Sequence, residues 1–250
     1  MTYCVGMMLK RGLVFMSDTR TNAGLDNIST FGKMKIWETP GDRAITLCSA
    51  GNLATTQAVV SELDERVKAH ADRQPSILAM PSMYQVARLV ADTLRDVIRR
   101  NANTGQRADS VFNATLLLGG QIAGGPPRLF LIYPEGNFIE AGSDTPFFQV
   151  GEIKYGRPIL VRAYDPGLSF PDAMKLLLVS FDSTVKANLT VGPPFDYHLY
   201  AADSMTRGET GRIELDDPYF QTISQGWGDA LKQALDSLPA FGDPLPQSPR

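Results

Sequence analysis

Residues 1–18 read MTYCVGMMLKRGLVFMSD, and this stretch decides the fold. Two short apolar runs, TYCVGMML and LVFMSD, stand on either side of Lys10-Arg11-Gly12. Short runs of this composition around a glycine predict a β-hairpin with Gly12 in its turn. The chain therefore begins with antiparallel strands. Thr2, directly behind the initiator methionine, stands at the start of the first of them.

Working outward, a polar stretch (TRTNAGLDNIST, 19–30) precedes a strand candidate at Lys33–Glu38. A turn at TPGDR then leads to the strand AITLCSAG, 44–51. From Asn52 the apolar period changes from two to about 3.6. Leu53, Val59, Val60, Leu63 and Val67 mark one amphipathic helix, and Val86, Leu89, Val90, Leu94, Val97 and Ile98 a second. Those apolar faces suit the monomer's own core or an assembly contact, and the core is the simpler use. Strands return in FNATLLLGGQIA, PRLFLIY and NFIEAG, joined by Gly/Pro turns.

The second half turns helical. GEIKYGRPILVRAY holds a short helix with Pro158 in its first turn, and FPDAMKLLLVSFDSTVKANL a longer one with Pro171 and Asp172 at its start. RIELDD (212–217) is expected as a strand, and 218–238 as a last helix weakened by Gly226 and Gly228. Strands do not alternate one-to-one with helices, which disfavours a doubly wound sheet. An α+β fold is expected, with two antiparallel sheets face to face and helices outside. Residues 1–238 would form one domain, and 239–250 (PAFGDPLPQSPR) a loose Pro-rich tail.

Composition narrows the function classes. With 24 Lys+Arg against 27 Asp+Glu and a net charge of −3, neither nucleic acid nor an anionic membrane is an expected partner. No signal sequence and no membrane-spanning run is evident, so a soluble cytoplasmic protein is expected. The two cysteines, Cys4 and Cys48, lie in apolar runs and read as buried, reduced thiols. Neither they nor the two distant histidines, His70 and His198, have metal-ligand spacing, and no metal or cofactor is expected.

There is no G-x-S-x-G elbow. The glycine pairs at 119–120 and 124–125 lack the lysine of a phosphate loop, and neither histidine has the setting of a catalytic triad. One nucleophile needs no histidine. Were Met1 removed, Thr2 would carry both a hydroxyl and its own α-amine, which titrates near 7.7–8.0 and can take the hydroxyl proton at about neutral pH. Such a site also needs a cation, a carboxylate to hold it and N–H groups for an oxyanion. Asp18 in SDTR, Lys33 in GKMK and Gly51 in SAGN follow in that order. Taken singly they read as a turn acid, a solvated charge and a helix-start residue; together they read as a site.

With MTYCVGM, SDTRTNAG, DNISTF, LCSAGNLATTQ and GEIKYG in sequence, residues 2 to about 235 resemble a proteasome β-type subunit of the N-terminal-nucleophile hydrolases. Within that superfamily the chain is similar to the Anbu (ancestral β-subunit) subgroup. The resemblance implies a four-layer αββα sandwich and a threonine peptidase acting in a ring-like or open helical homo-oligomer. It implies Thr2 as nucleophile and base, Lys33 held by Asp18 as the tuning cation, and the Gly51 N–H for the oxyanion. Because the interval from Asp18 to Lys33 is one residue shorter than usual in the family, Lys35 is the alternate cation. A substrate pocket of Thr21, Phe31, Lys35, Ser49 and Leu53 is implied, for a peptide or a small amide.

Two positions depart from the family pattern. Gly151-Glu152 replaces a Gly-Ser turn that supports the threonine amine, and Asn188 and Val191 replace an acid and a serine. Reduced peptidase activity would follow. An amidase with the same nucleophile, and an assembly protein with a decayed site, are the alternative readings.

Overall fold

The computed structural model describes residues 2–22, 28–68, 75–102 and 112–242. Strands β1 (Tyr3–Leu9) and β2 (Gly12–Asp18) form the expected hairpin, with Lys10 and Arg11 as its two-residue loop. Gly12 lies just beyond that loop, paired with Leu9 and with Ala201. It is glycine because the neighbouring strand comes close: a Cβ there would sit 1.9 Å from the Tyr200 carbonyl oxygen, at φ +142°.

The short pair β3 (Arg20–Asn22) and β4 (Ile28–Thr30) occupies the polar stretch. Strands β5 (Met34–Thr39) and β6 (Arg43–Gly51) lead into helices α1 (Leu53–Lys68) and α2 (Met83–Ala102). Strands β7 (Ala114–Ile122), β8 (Arg128–Ile132), β9 (Phe138–Glu140) and β10 (Phe147–Gly151) follow. Helices α3 (Arg157–Ala163) and α4 (Phe170–Ala187), strands β11 (Phe195–Ala201) and β12 (Glu209–Ile213), and helix α5 (Pro218–Asp236) complete the chain.

Two antiparallel five-stranded sheets result, in the orders β10-β1-β2-β11-β12 and β5-β6-β7-β8-β9. Alternation along each strand sends its side chains to two different cores. In β1, Tyr3, Val5 and Met7 face the helices α3–α5, while Cys4 faces the opposite sheet. In β6, Ile45 and Leu47 face α1 and α2, while Ala44, Cys48 and Ala50 look inward. The layers are therefore αββα, as the resemblance implies.

Helix α2 buries ten residues, Val86, Leu89, Val90, Leu94, Val97 and Ile98 among them, so its apolar face belongs to the monomer's core. Each large apolar side chain so buried contributes about 1.5–3 kcal/mol, against about 0.5 kcal/mol for a surface ion pair such as Arg95–Asp92. Packing decides the helix. Both thiols lie between the sheets, where burial pushes them above the ordinary cysteine range.

Several expectations need correction. Strands β10 and β11 lie where no strand is foreseen, yet they flank the β1–β2 hairpin on either side. The last strand is Glu209–Ile213 rather than 212–217, set by its register against β11. Helix α5 runs unbroken through Gly226 and Gly228; the Asp217 side chain accepts the Phe220 N–H at 2.9 Å, and Phe220 is buried. The remote tail, 243–250, lies outside the described residues, as does His70. No described helix is long and apolar enough to cross a membrane.

His198 pins the sheets together. Its Nε2–H donates to the Arg207 carbonyl, so the neutral ring's Nδ1 accepts the Thr46 hydroxyl of the other sheet at 2.7 Å. Burial lowers the imidazole to about 4 from an ordinary 6.5. The folded ring thus stays neutral while the unfolded one takes a proton below pH 6.5. Stability contributed at pH 7 is lost as pH falls from about 6.5 to about 4, by up to about 3 kcal/mol. Urea denaturation at pH 7.5 and 4.5 should show a smaller loss in His198→Gln than in the natural chain; an equal loss contradicts this assignment.

Candidate active site

Thr2 is buried at the start of β1. Its carbonyl accepts the Glu152 N–H at 2.7 Å, across the pairing of Tyr3 with Gly151. Gly151 has φ +87°, and a Cβ there would lie 1.8 Å from the Thr2 carbonyl oxygen. No other residue type fits this close crossing.

The next residue is anchored on three sides. The Tyr3 N–H donates to Asp18 Oδ1 at 2.9 Å, and its phenol pairs with Ser180 Oγ at 2.7 Å and accepts from Gln149 Nε2 at 2.6 Å. Burial pushes the phenol up to about 12, so it acts as a fixed neutral post behind the strand.

Asp18 ends β2, and Lys33 stands one residue before β5. Lys33 Nζ donates to Asp18 Oδ1 at 2.7 Å and to the Arg20 carbonyl at 2.6 Å. Both side chains are buried, 6% and 0% exposed, which makes the pairing obligatory for each. Burial raises the Asp18 carboxyl from its ordinary range; Lys33 and the N–H groups of Tyr3 and Gly192 work against that rise. Lys33, not Lys35, makes the contact with Asp18. Lys35 Nζ turns away to Asp64 at 2.6 Å, whose other oxygen accepts the Trp37 indole N–H at 2.7 Å.

A cavity of about 540 Å³ opens beside Thr2. Lys33, Gly51, Thr21, Ser49 and Leu53 line it, as the sequence leads one to expect, together with Gly151. Phe31 and Lys35 instead line a neighbouring cavity of about 320 Å³, which shares Lys33, Ser49 and Thr56 with the first. Gly51 ends β6, and Asn52 after it accepts the Thr55 N–H at 3.0 Å, capping α1. The start of α1 therefore lines the cavity through Gly51, Asn52 and Leu53; the Asn52 N–H is taken by the Asn113 carbonyl at 2.9 Å, and a helix start of this kind suits negative charge.

Glu152 and Asn188 meet each other. Asn188 Nδ2 donates to Glu152 Oε2 at 2.9 Å, while Asn188 Oδ1 accepts the Thr190 N–H and hydroxyl at 3.0 and 2.6 Å. Val191 is fully buried in the core under α4, which suits an apolar side chain at that position.

Three lining residues were not foreseen: Arg20, Asn52 and Thr56. Arg20 donates to the carbonyls of Leu189 at 2.9 Å and Val191 at 3.4 Å, tying the loop after α4 to the cavity wall. Its one signal in the sequence is its place two residues after Asp18. The distant carbonyls it reaches leave no mark there.

Comparison with known proteins bears on this geometry. Residues 2–193 match the proteasome subunit family. Anbu (ancestral beta-subunit) from Yersinia bercovieri is 47% identical, with a TM-score of 0.88 over 96% of this chain and 99% of that one. A Gly-1 mutant of Anbu from Hyphomicrobium sp. strain MC1 is 46% identical, with a TM-score of 0.90 over 97% and 100%. Anbu from Pseudomonas aeruginosa, solved as a helical assembly, is 45% identical, with a TM-score of 0.88 over 99% of both chains. No curated protein matches the chain.

Removing one partner of the buried pair leaves the other charged and unmatched. Lys33→Met should lower unfolding stability by about 3–5 kcal/mol. Adding Asp18→Leu should restore part of that loss, because no buried charge then remains. A double variant less stable than Lys33→Met, by chemical denaturation, runs against this account of the pair.

Proposed function

This chain belongs to the proteasome subunit family, and from that premise we propose that it is a threonine peptidase whose nucleophile is Thr2. Met1 lies outside the described residues, and its removal would free the Thr2 α-amine. One observation carries the reading. A buried Lys33–Asp18 pair stands at the cavity beside Thr2, and the same Asp18 oxygen holds the N–H of Tyr3, the residue covalently next to the nucleophile.

In this reading the Thr2 hydroxyl oxygen attacks a substrate carbonyl carbon, and its proton passes to the α-amine. That amine ordinarily titrates at about 7.7–8.0, within reach of neutral pH. The Lys33 ammonium, fixed by Asp18 and the Arg20 carbonyl, favours the alkoxide. The Gly51 N–H faces the oxygen that turns negative in the tetrahedral intermediate. The leaving amine takes the proton from the α-ammonium, and water then hydrolyses the ester on Thr2. Thr21, Ser49 and Leu53 would border the peptide, with Phe31 and Lys35 in the adjoining cavity receiving a side chain.

Self-assembly is the second part of the proposal. The relative from Pseudomonas aeruginosa forms a helical assembly, and near-complete coverage of both chains supports a homo-oligomer here. The buried free thiols suit a reducing compartment, and the cytoplasm is the proposed setting.

Intact mass should show a chain lacking Met1, and a threonine-directed epoxyketone should label it at Thr2. Thr2→Ala should abolish labelling and lower peptide turnover by about 10³-fold or more. Turnover unchanged in Thr2→Ala rules out the nucleophile. Light scattering should report a particle several times the 27.3 kDa of one chain; a monomer at micromolar concentration rules out the assembly.

A further inference from the structure

The fold leaves little of the chain's beginning for another enzyme to hold. Tyr3 is 0% exposed and Thr2 8%. The Thr2 carbonyl accepts the Glu152 N–H at 2.7 Å, and the Tyr3 N–H donates to Asp18 at 2.9 Å. Strand β1 lies between β10 and β2, so both of its edges are hydrogen-bonded. An aminopeptidase takes the terminal residue into its own pocket and lays the next ones along its cleft. Here those next residues already have their partners, and they cannot be offered without opening the sheet. Such an opening also breaks the core under α4, because Ser180 and Gln149 hold the Tyr3 phenol and Phe181 packs on its ring. Openings that disrupt a core approach global unfolding in rarity, and cleavage that needs them is slowed in proportion.

The order of synthesis supplies the opportunity that the fold denies. Of the groups that hold Thr2 and Tyr3, Asp18 alone lies near them in the chain. The others run from Gln149 through Glu152 to Ser180 and Phe181. Gly156 belongs with them, since a Cβ there would come within 2.2 Å of the Tyr3 hydroxyl oxygen. Glu152 stands 150 residues behind Thr2. At about 5–20 residues per second it is made roughly 8–30 s later. We propose that Met1 is removed in this interval by a methionine aminopeptidase acting on the growing chain, and that a chain which closes β10 against Thr2 with Met1 still attached can no longer be trimmed.

This rests on the reading of Thr2 as a freed N-terminal residue, and adds what frees it and when. The step is ordinary hydrolysis: water adds across the Met1–Thr2 peptide bond, giving free methionine and the Thr2 α-amine. Nothing in later folding repairs a missed cleavage. The active fraction of an assembly is then fixed during synthesis, by whether trimming or closure comes first.

The test reads Met1 by intact mass, without turnover. The chain is made by cell-free synthesis with the aminopeptidase blocked, and cooperative urea unfolding establishes that it is folded. It is then treated with purified methionine aminopeptidase beside a peptide of residues 1–9. The peptide should lose Met1 readily, and the folded chain at least about 10³-fold more slowly. The same enzyme present during synthesis should yield the trimmed chain. A folded chain trimmed at the peptide's rate overturns this inference alone, and so does one that sheds Met1 with no enzyme present. A peptide or growing chain that resists the enzyme overturns it, as does a chain unable to fold with Met1 attached. A chain isolated from cells with Met1 in place overturns this inference together with the peptidase reading.

Discussion

A lysine ammonium and an aspartate carboxylate share one buried hydrogen bond beside Thr2, and the geometry around that proposed nucleophile depends on it. Neither charge tolerates that burial alone, so each holds the other in place. Through Asp18 the pair reaches the N–H of Tyr3; through Lys33 it reaches the Arg20 carbonyl. Three elements that meet only in the fold, the hairpin, the β3 strand and the residue before β5, are drawn to one point.

The wider fold serves that point by keeping the first strand still. Tyr3 is wedged under α4 by Ser180, Gln149 and the ring of Phe181, 4.5 Å away. On the opposite edge the β10 end grips the Thr2 carbonyl through Glu152. Between the sheets, Thr46–His198 and Tyr200–Gln121, the latter at 3.0 Å, add polar ties to a mostly apolar interface.

Much of this was legible in residue order. The hairpin, the two amphipathic helices and the strands of the second sheet follow from period and turn chemistry, and Thr2, Asp18, Lys33 and Gly51 do come together around one cavity and its buried pair. What escaped shares one physical cause. Strands β10 and β11 carry Gln149 and His198, polar residues that look like loop positions. They are buried because Tyr3 and Thr46, each more than 140 residues away, answer their hydrogen bonds. Arg20 escaped for the same reason, since its acceptors lie on the loop after α4.

Local pattern settled what forms locally: which segments are strands or helices, and which residues carry reactive groups. The family resemblance, not local pattern, singled out Glu152 and Asn188 as departures. Tertiary structure alone decided which cation Asp18 holds, since Lys33 and Lys35 differ by two positions but face different acids. It alone brought the side chains of Glu152 and Asn188 together, from 36 residues apart, and set the Glu152 N–H on the carbonyl of Thr2. Charge and hydrogen-bonding capacity are properties of a residue, whereas the partner that satisfies them is a property of the packed chain.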